Sequence, residues 1–376
     1  MSRYDDIGAR TAALSEPTQL PAIDWSLVGQ SAPVPVPIDY GGAGQSLPRA
    51  DALVMTWTNA EWAAMDHVFV RSGKAESPSA ALPTAGSWYL YDKGAPASGS
   101  GSGANRLWGY YQLVRIASSG GASRTVLLFK SDAHLAHPPY LAGLTREFQD
   151  AVADVKPSRV YSIGTAGGAT EAQNLGDVAI TNGATCRLSL PENAGSAENG
   201  KTFTCESFFP NVTALLPQVQ QKLFFKLSNV ATPAEWQRVL AQAKRGSQGA
   251  SLAPYSLEDL MNGPIEPQNL GAPKAVDFKG TPLLTTDTYF IAAGNSPGFA
   301  ALEMDDAVIA AAASQLSIPF AFIRNISDAV IATQARNGSP IAEAARQAWS
   351  SAQYDHFGVY GSFNGALAAW ATLAAW

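Results

Sequence analysis

The chain has 376 residues, of which 46% are hydrophobic and 15% charged, with a net charge of −6 and two cysteines. That length is enough for one large α/β domain. A charged share below the usual quarter or so favours a large core or subunit interfaces over disorder. The acidic balance excludes non-specific binding of nucleic acid, which needs a basic surface.

Cys186 and Cys205 are too few for a disulfide framework and read as two unrelated thiols. The opening MSRYDDIGAR carries early acids and no apolar run, which excludes a secretory signal. No apolar run reaches membrane-spanning length, and GALAAWATLAAW at the C-terminal end reads as a packed helix. The expectation is a cytoplasmic protein with neither membrane nor nucleic acid as partner. It is also expected to be a homo-oligomer, on its low charge.

Residues 1–49, rich in Pro, Ala, Ser and Gly, show no period and read as an extended N-terminal arm. The domain proper is expected over 50–376. Ala52 to Trp57 (ALVMTW) fits a buried strand, Thr58 and Asn59 offer caps, and a helix follows from near Glu61. Strand, polar turn and helix open an α/β unit.

The glycine-serine run GAPASGSGSGAN is not a phosphate loop, because no strand leads in and no helix leads out. Leu107 to Ile116 and Arg124 to Lys130 read as paired strands. His134 and His137 lack a third ligand and precede Pro138, so they read as ordinary loop residues, with no metal and no cofactor expected.

Tyr140 to Val155 has helical spacing, and Arg159 to Ile163 is a buried strand leading into Gly164-Thr165-Ala166-Gly167-Gly168. Such glycines suit either a tight strand-to-helix turn or a backbone that approaches a ligand closely. They do not follow the dinucleotide pattern. Residues 185–280 carry no recognisable chemistry beyond two helical patterns, and read as an insertion or lid. Pro282 to Ala293 returns to strand character with Tyr289 and Phe290, and the tail from Ile341 is helical, with Trp349, Tyr354, Trp370 and Trp376 as packing anchors.

The stretch 301–330 concentrates the chemistry. Glu303, Asp305 and Asp306 precede an Ala-rich helix, then a β-prone run, Phe320 to Ile326, leads to Asp328. A carboxylate just past an apolar strand is a common active-site placement in α/β folds. Glu303 and Asp305 can share one pocket only if the helix starts at or after Asp305, because residues two apart face opposite sides of a helix.

In order along the chain, four pieces resemble the nucleoside phosphorylase and nucleosidase superfamily, in particular its methylthioadenosine/adenosylhomocysteine nucleosidase branch. They are the first strand to Glu61, Arg159 to Ile180 with its glycines, Asp287 to Phe290, and Glu303 to Asp328 with Glu303-Met304-Asp305 and Ile326-Ser327-Asp328. The resemblance implies one large domain with a central mixed sheet flanked by helices. It also implies cleavage of the N-glycosidic bond of a small-molecule nucleoside.

By the resemblance, Asp328 protonates the leaving purine, and Glu61 with Glu303 activates water near Thr165, Ala166 and Gly167. Met304 and Asp305 hold the ribose, and Tyr289 or Phe290 stacks on the base. Asp305 is one methylene shorter than the family's Glu. The first turn, Thr58-Asn59-Ala60, lacks the glycine and basic residue of phosphorylases, which favours hydrolysis. A phosphorylase or a non-catalytic nucleoside-binding relative are the alternatives.

Overall fold

The structure is a computed structural model and describes residues 19–42, 44–74, 88–95, 108–136, 138–207, 209–246, 249–261, 270–288, 298–328 and 333–376. Its strands, in chain order, begin with β1 Val34–Pro35 and β2 Ala52–Thr56. The capping box of Thr58 and Glu61 starts α1, Asn59–Met65, which runs on into a π-helical turn, Asp66–Val70. There follow β3 Tyr89–Tyr91, β4 Gly109–Ala117, β5 Ser123–Ser131, α2 Tyr140–Val155, β6 Arg159–Gly167, β7 Val178–Thr181, β8 Gly183–Arg187 and β9 Thr202–Thr204. Then come α3 Leu216–Leu223, α4 Pro233–Arg245, β10 Ala275–Asp277, β11 Leu283–Thr286, β12 Leu302–Glu303, α5 Asp306–Gln315, β13 Phe320–Asp328 and the long α6, Glu343–Ala374.

All the strands join one mixed sheet flanked by helices, as expected from the alternation of apolar runs and helical stretches. Strands β5, β2, β6 and β13 lie side by side and parallel. β4 pairs antiparallel with β5, and β7 antiparallel with β13. Beyond Ser162 strand β6 leaves β2, and at Gly167 it meets β12, which leads through β11 and β8 to β9. The sheet therefore splits around the carboxyl end of β6, and the opening lies there.

Strand β6 runs further than the sequence suggests. Gly164 to Gly167 continue the strand and do not form a turn. The reason is lateral crowding. A Cβ on Gly164 would lie 2.4 Å from Arg324 Nη1 and 2.9 Å from Glu61 Oε1, and one on Gly167 would lie 3.1 Å from Asp328 Oδ2. The glycines make room for neighbouring side chains.

A similar device seats α6. A Cβ on Gly361 or Gly365 would come within 2.9 or 2.8 Å of the Asn325 amide, so the helix closes directly on β13. Its outer side packs on the helices of residues 216–261, where Trp236 lies 5.8 Å from Trp349 and 4.6 Å from Phe357, centroid to centroid. Within 185–280, β9, β10 and the end of β8 belong to the sheet.

Of the arm, Leu20, Ile23, Trp25, Val28 and Leu47 are buried against the chain's own body, with Trp25 4.5 Å from Trp370. Cys186 and Cys205 are buried free thiols. Among the described residues no helix is long and apolar enough to cross a membrane.

Replacing Gly164 by Ala forces a methyl into the guanidinium. Overpacking of this kind costs about 1–3 kcal/mol. The denaturation midpoint of Gly164→Ala should fall accordingly, while Gly195→Ala, which meets nothing within 4 Å, should melt like the parent chain.

Candidate active site

Eight of the residues singled out in the sequence line one cavity of about 190 Å³ at the carboxyl ends of β2, β6 and β13: Glu61, Thr165, Ala166, Gly167, Glu303, Met304, Asp305 and Asp328. That volume is many times the ~10–15 Å³ that admits one water. Tyr289 and Phe290 lie outside the described residues.

Glu61 enters from the first turn of α1. Its Oε2 accepts hydrogen bonds from Thr56 Oγ1, Trp57 N and Thr58 N, each at 2.8 Å. Its Oε1 accepts from Thr165 N and Thr165 Oγ1, both at 2.7 Å. Burial alone would raise its proton affinity. The Arg324 guanidinium and the backbone N–H groups of Thr165, Thr58 and Trp57 outweigh that and hold the carboxyl below its ordinary range.

The acidic segment is arranged as its spacing requires, with α5 starting at Asp306. Asp305 occupies the N-cap position without capping by its own side chain. Glu303 does the capping instead, its Oε2 accepting from Asp305 N at 2.6 Å and Asp306 N at 2.9 Å. Burial, and after it the Asp306 carboxylate, pushes Glu303 up to about 8. Asp305 is raised well above the carboxylate range, again mainly by burial, against the opposing pull of Arg324.

Asp328 owes its aim to an irregularity in β13. Ile326 opposes Ala166 and Asp328 opposes Gly167, so Ser327 is an extra residue, a bulge that redirects the chain. The Asp328 carboxyl then lies over Gly167. Ser327 Oγ donates to its Oδ1 at 2.9 Å, and Ser350 Oγ, from α6, donates to Oδ2.

Arg324, Tyr354 and His134 also line the cavity. Arg324, a charge inside the apolar run of β13, is buried. Its Nε donates to Asp306 Oδ2 at 2.7 Å and its Nη2 to Asp306 Oδ1. Nη2 also lies 3.3 Å from Glu303 Oε2, Nη1 donates to Thr165 O at 3.3 Å, and the guanidinium stands 5.0 Å from the Trp57 ring. Asp306 in turn accepts from Ser162 Oγ. Tyr354, read as a packing anchor, and His134, read as an ordinary loop residue, both line the cavity. The signal for Arg324 was present, a guanidinium amid β-prone apolar residues. Its partner stands 18 positions earlier, in the first turn of α5, and the return of the chain along β13 brings the two together.

No protein-family model matches the chain, and no curated protein matches it either. Among solved structures, the chain is similar to the 5′-methylthioadenosine/S-adenosylhomocysteine nucleosidase of Neisseria meningitidis in complex with methylthio-immucillin-A. The identity is 13% and the TM-score 0.44, over 87% of this chain and 100% of that one. It is similar to the Streptococcus pneumoniae MTA/SAH nucleosidase in complex with 8-aminoadenine at 14% identity and a TM-score of 0.44, over 87% and 100%. It is similar to the futalosine hydrolase of Helicobacter pylori at 10% identity and a TM-score of 0.42, over 86% and 96%.

Removing Arg324 strands two buried carboxyls, a loss that costs about 3–5 kcal/mol when one partner of a buried pair is deleted. Arg324→Leu should be destabilised on that scale in urea. The double variant Arg324→Leu/Asp306→Leu should recover part of the loss, because it removes one stranded charge.

Proposed function

We propose that the chain hydrolyses the N-glycosidic bond of a purine nucleoside and releases the free base. The observation that carries this reading is the set of carboxyls that lines the cavity. The carboxyls of Glu61, Glu303, Asp305 and Asp328 line it, and the guanidinium among its described lining residues, Arg324, is already engaged by Asp306 and Glu303. Breaking the bond gives the sugar oxocarbenium character, as in glycoside hydrolysis. The Glu61 carboxyl, held below its ordinary range, favours such a cation. Among the described lining residues phosphate finds no open cation: Arg324 is already paired, and His134, lowered to about 4, is neutral near pH 7.

In the reaction the C1′–N bond breaks and its electron pair goes to the base nitrogen. A purine leaves poorly as an anion, so Asp328 supplies a proton to its ring. Water attacks C1′ and gives up a proton on the side of Glu61. The lone pairs of Glu61 are filled by five donors, so water reaches it through the Thr165 hydroxyl, 2.7 Å from Oε1. Thr165 takes the water proton as it passes its own to Glu61. Glu303 flanks this water, and Asp305 with the Met304 backbone receives the ribose hydroxyls. Tyr289 or Phe290 stacks on the base.

Base should appear in phosphate-free buffer from one or more of adenosine, inosine, guanosine and 5′-methylthioadenosine, together with free sugar. Turnover that requires phosphate and yields sugar 1-phosphate would assign a phosphorylase instead. Binding without any turnover would leave a non-catalytic relative.

Asp328→Asn keeps shape but cannot deliver a proton. Its turnover should fall about 10²–10⁴-fold, with ligand affinity and melting temperature near those of the parent chain. A folded variant with normal turnover would remove Asp328 from the mechanism.

A further inference from the structure

The terminal torsion of an Asp side chain is broad, so its carboxyl has no strongly preferred plane of its own. At Asp328 two hydroxyls supply one. Ser327 Oγ donates to Oδ1 at 2.9 Å, and Ser350 Oγ donates to Oδ2. Oδ2 also faces β6, where a Cβ on Gly167 would lie 3.1 Å from it. That oxygen is thus enclosed between a strand and a helix.

The two hydroxyls are anchored differently. Ser327 is the bulge residue of the same strand and moves with Asp328. Ser350 stands 22 positions further on, in α6, and is wholly buried. A serine inside a helix commonly turns its hydroxyl to solvent or to the preceding turn. Here the hydroxyl reaches across to another element.

The helix is fixed on both sides of this contact. Trp349, the residue before, packs 5.8 Å from Trp236. Tyr354, four residues on and so on the same face, lines the cavity. Further along, Gly361 and Gly365 close on the Asn325 amide of β13. The place of the Ser350 hydroxyl relative to the end of β13 is therefore set by packing and not by the strand itself.

We propose that Ser350 is a positioning residue for the proton donor: its hydroxyl fixes the plane of the Asp328 carboxyl and stabilises the carboxylate left when the proton has passed to the base. In that step the Asp328 O–H bond breaks, the proton joins a ring nitrogen, and the electron pair of the C1′–N bond passes into the base. A hydrogen bond to a charged acceptor is stronger than one to a neutral acceptor. The contact with Ser350 therefore strengthens as charge develops on Asp328, and favours bond breaking over substrate binding. The inference rests on the nucleosidase reading and adds to it a residue that acts on the rate through the acid.

The test is a double-mutant cycle on base release in phosphate-free buffer, from the purine nucleoside that the parent chain cleaves fastest. Ser350→Ala should lower kcat about 10–100-fold, as expected for a lost hydrogen bond to a charged group, and leave KM near the parental value. Added to Asp328→Asn it should cause no further loss, because the group it acts on no longer passes a proton. Ser350→Cys fills nearly the same space but offers a weak donor, so its kcat should stay low. If Ser350→Ala melts early, Ser350→Cys carries the cycle in its place.

A folded Ser350→Ala with parental kcat would overturn the proposal. So would an undiminished loss in the Asp328→Asn background, recovery of kcat in Ser350→Cys, or a loss confined to KM, since each marks a side chain that merely fills space. A parent chain that releases base from no purine nucleoside would instead overturn the nucleosidase reading, and this inference with it.

Discussion

Arg324 sits on β13 with its guanidinium closed off from solvent, and four parts of the chain converge on it. Asp306 at the start of α5 takes its forked edge, Glu303 of β12 stands beside it, Thr165 of β6 offers a carbonyl, and the Trp57 ring lies near its face. Through Thr165 the same network reaches Glu61 and the first turn of α1. Desolvating a guanidinium is tolerable only with such complete pairing. The pairing fixes the relative placement of the acidic segment, the end of β6 and the opening of α1. The placement of Glu303, Thr165 and, through Thr165, Glu61 is therefore tied to one buried cation.

That arrangement also shapes what the carboxyls can do. Three carboxyls, Glu61, Glu303 and Asp306, gather close to one positive charge, and Asp305 lies beyond. Burial and mutual repulsion raise Glu303 and Asp305, while Glu61, with its backbone donors, stays low. Acids of one chemical type thus hold their protons with different firmness within one cavity, an arrangement that lets a single site accommodate both proton donors and proton acceptors.

Much of this was legible in the sequence. The strands read at Ala52, Arg124, Arg159, Val178, Pro282 and Phe320 show as short apolar runs, and a shared pocket for Glu303 and Asp305 requires a helix starting at or after Asp305, which α5 meets by starting at Asp306. Less was legible where a residue's meaning depends on a distant neighbour. The glycines of β6 suggested a turn, because a sequence shows a missing side chain without showing what occupies its place. There the occupants are Arg324, Glu61 and Asp328. His134 suggested a plain loop, because Asp305, its neighbour in space, lies 171 positions away along the chain. Tyr289 and Phe290 remain readings of the sequence.

The seat of α6 has a consequence for how the molecule can be altered. One stretch of this helix faces two ways: Trp349 meets Trp236 in the helical layer of residues 216–261, while the next residue, Ser350, holds the Asp328 carboxyl. This helical layer therefore acts as a buttress whose thrust ends on Asp328, the group proposed to protonate the base. Trimming that layer to obtain a minimal scaffold would slacken the acid before it disturbed the sheet, and drift in its packing offers evolution a way to tune the site without touching the cavity wall.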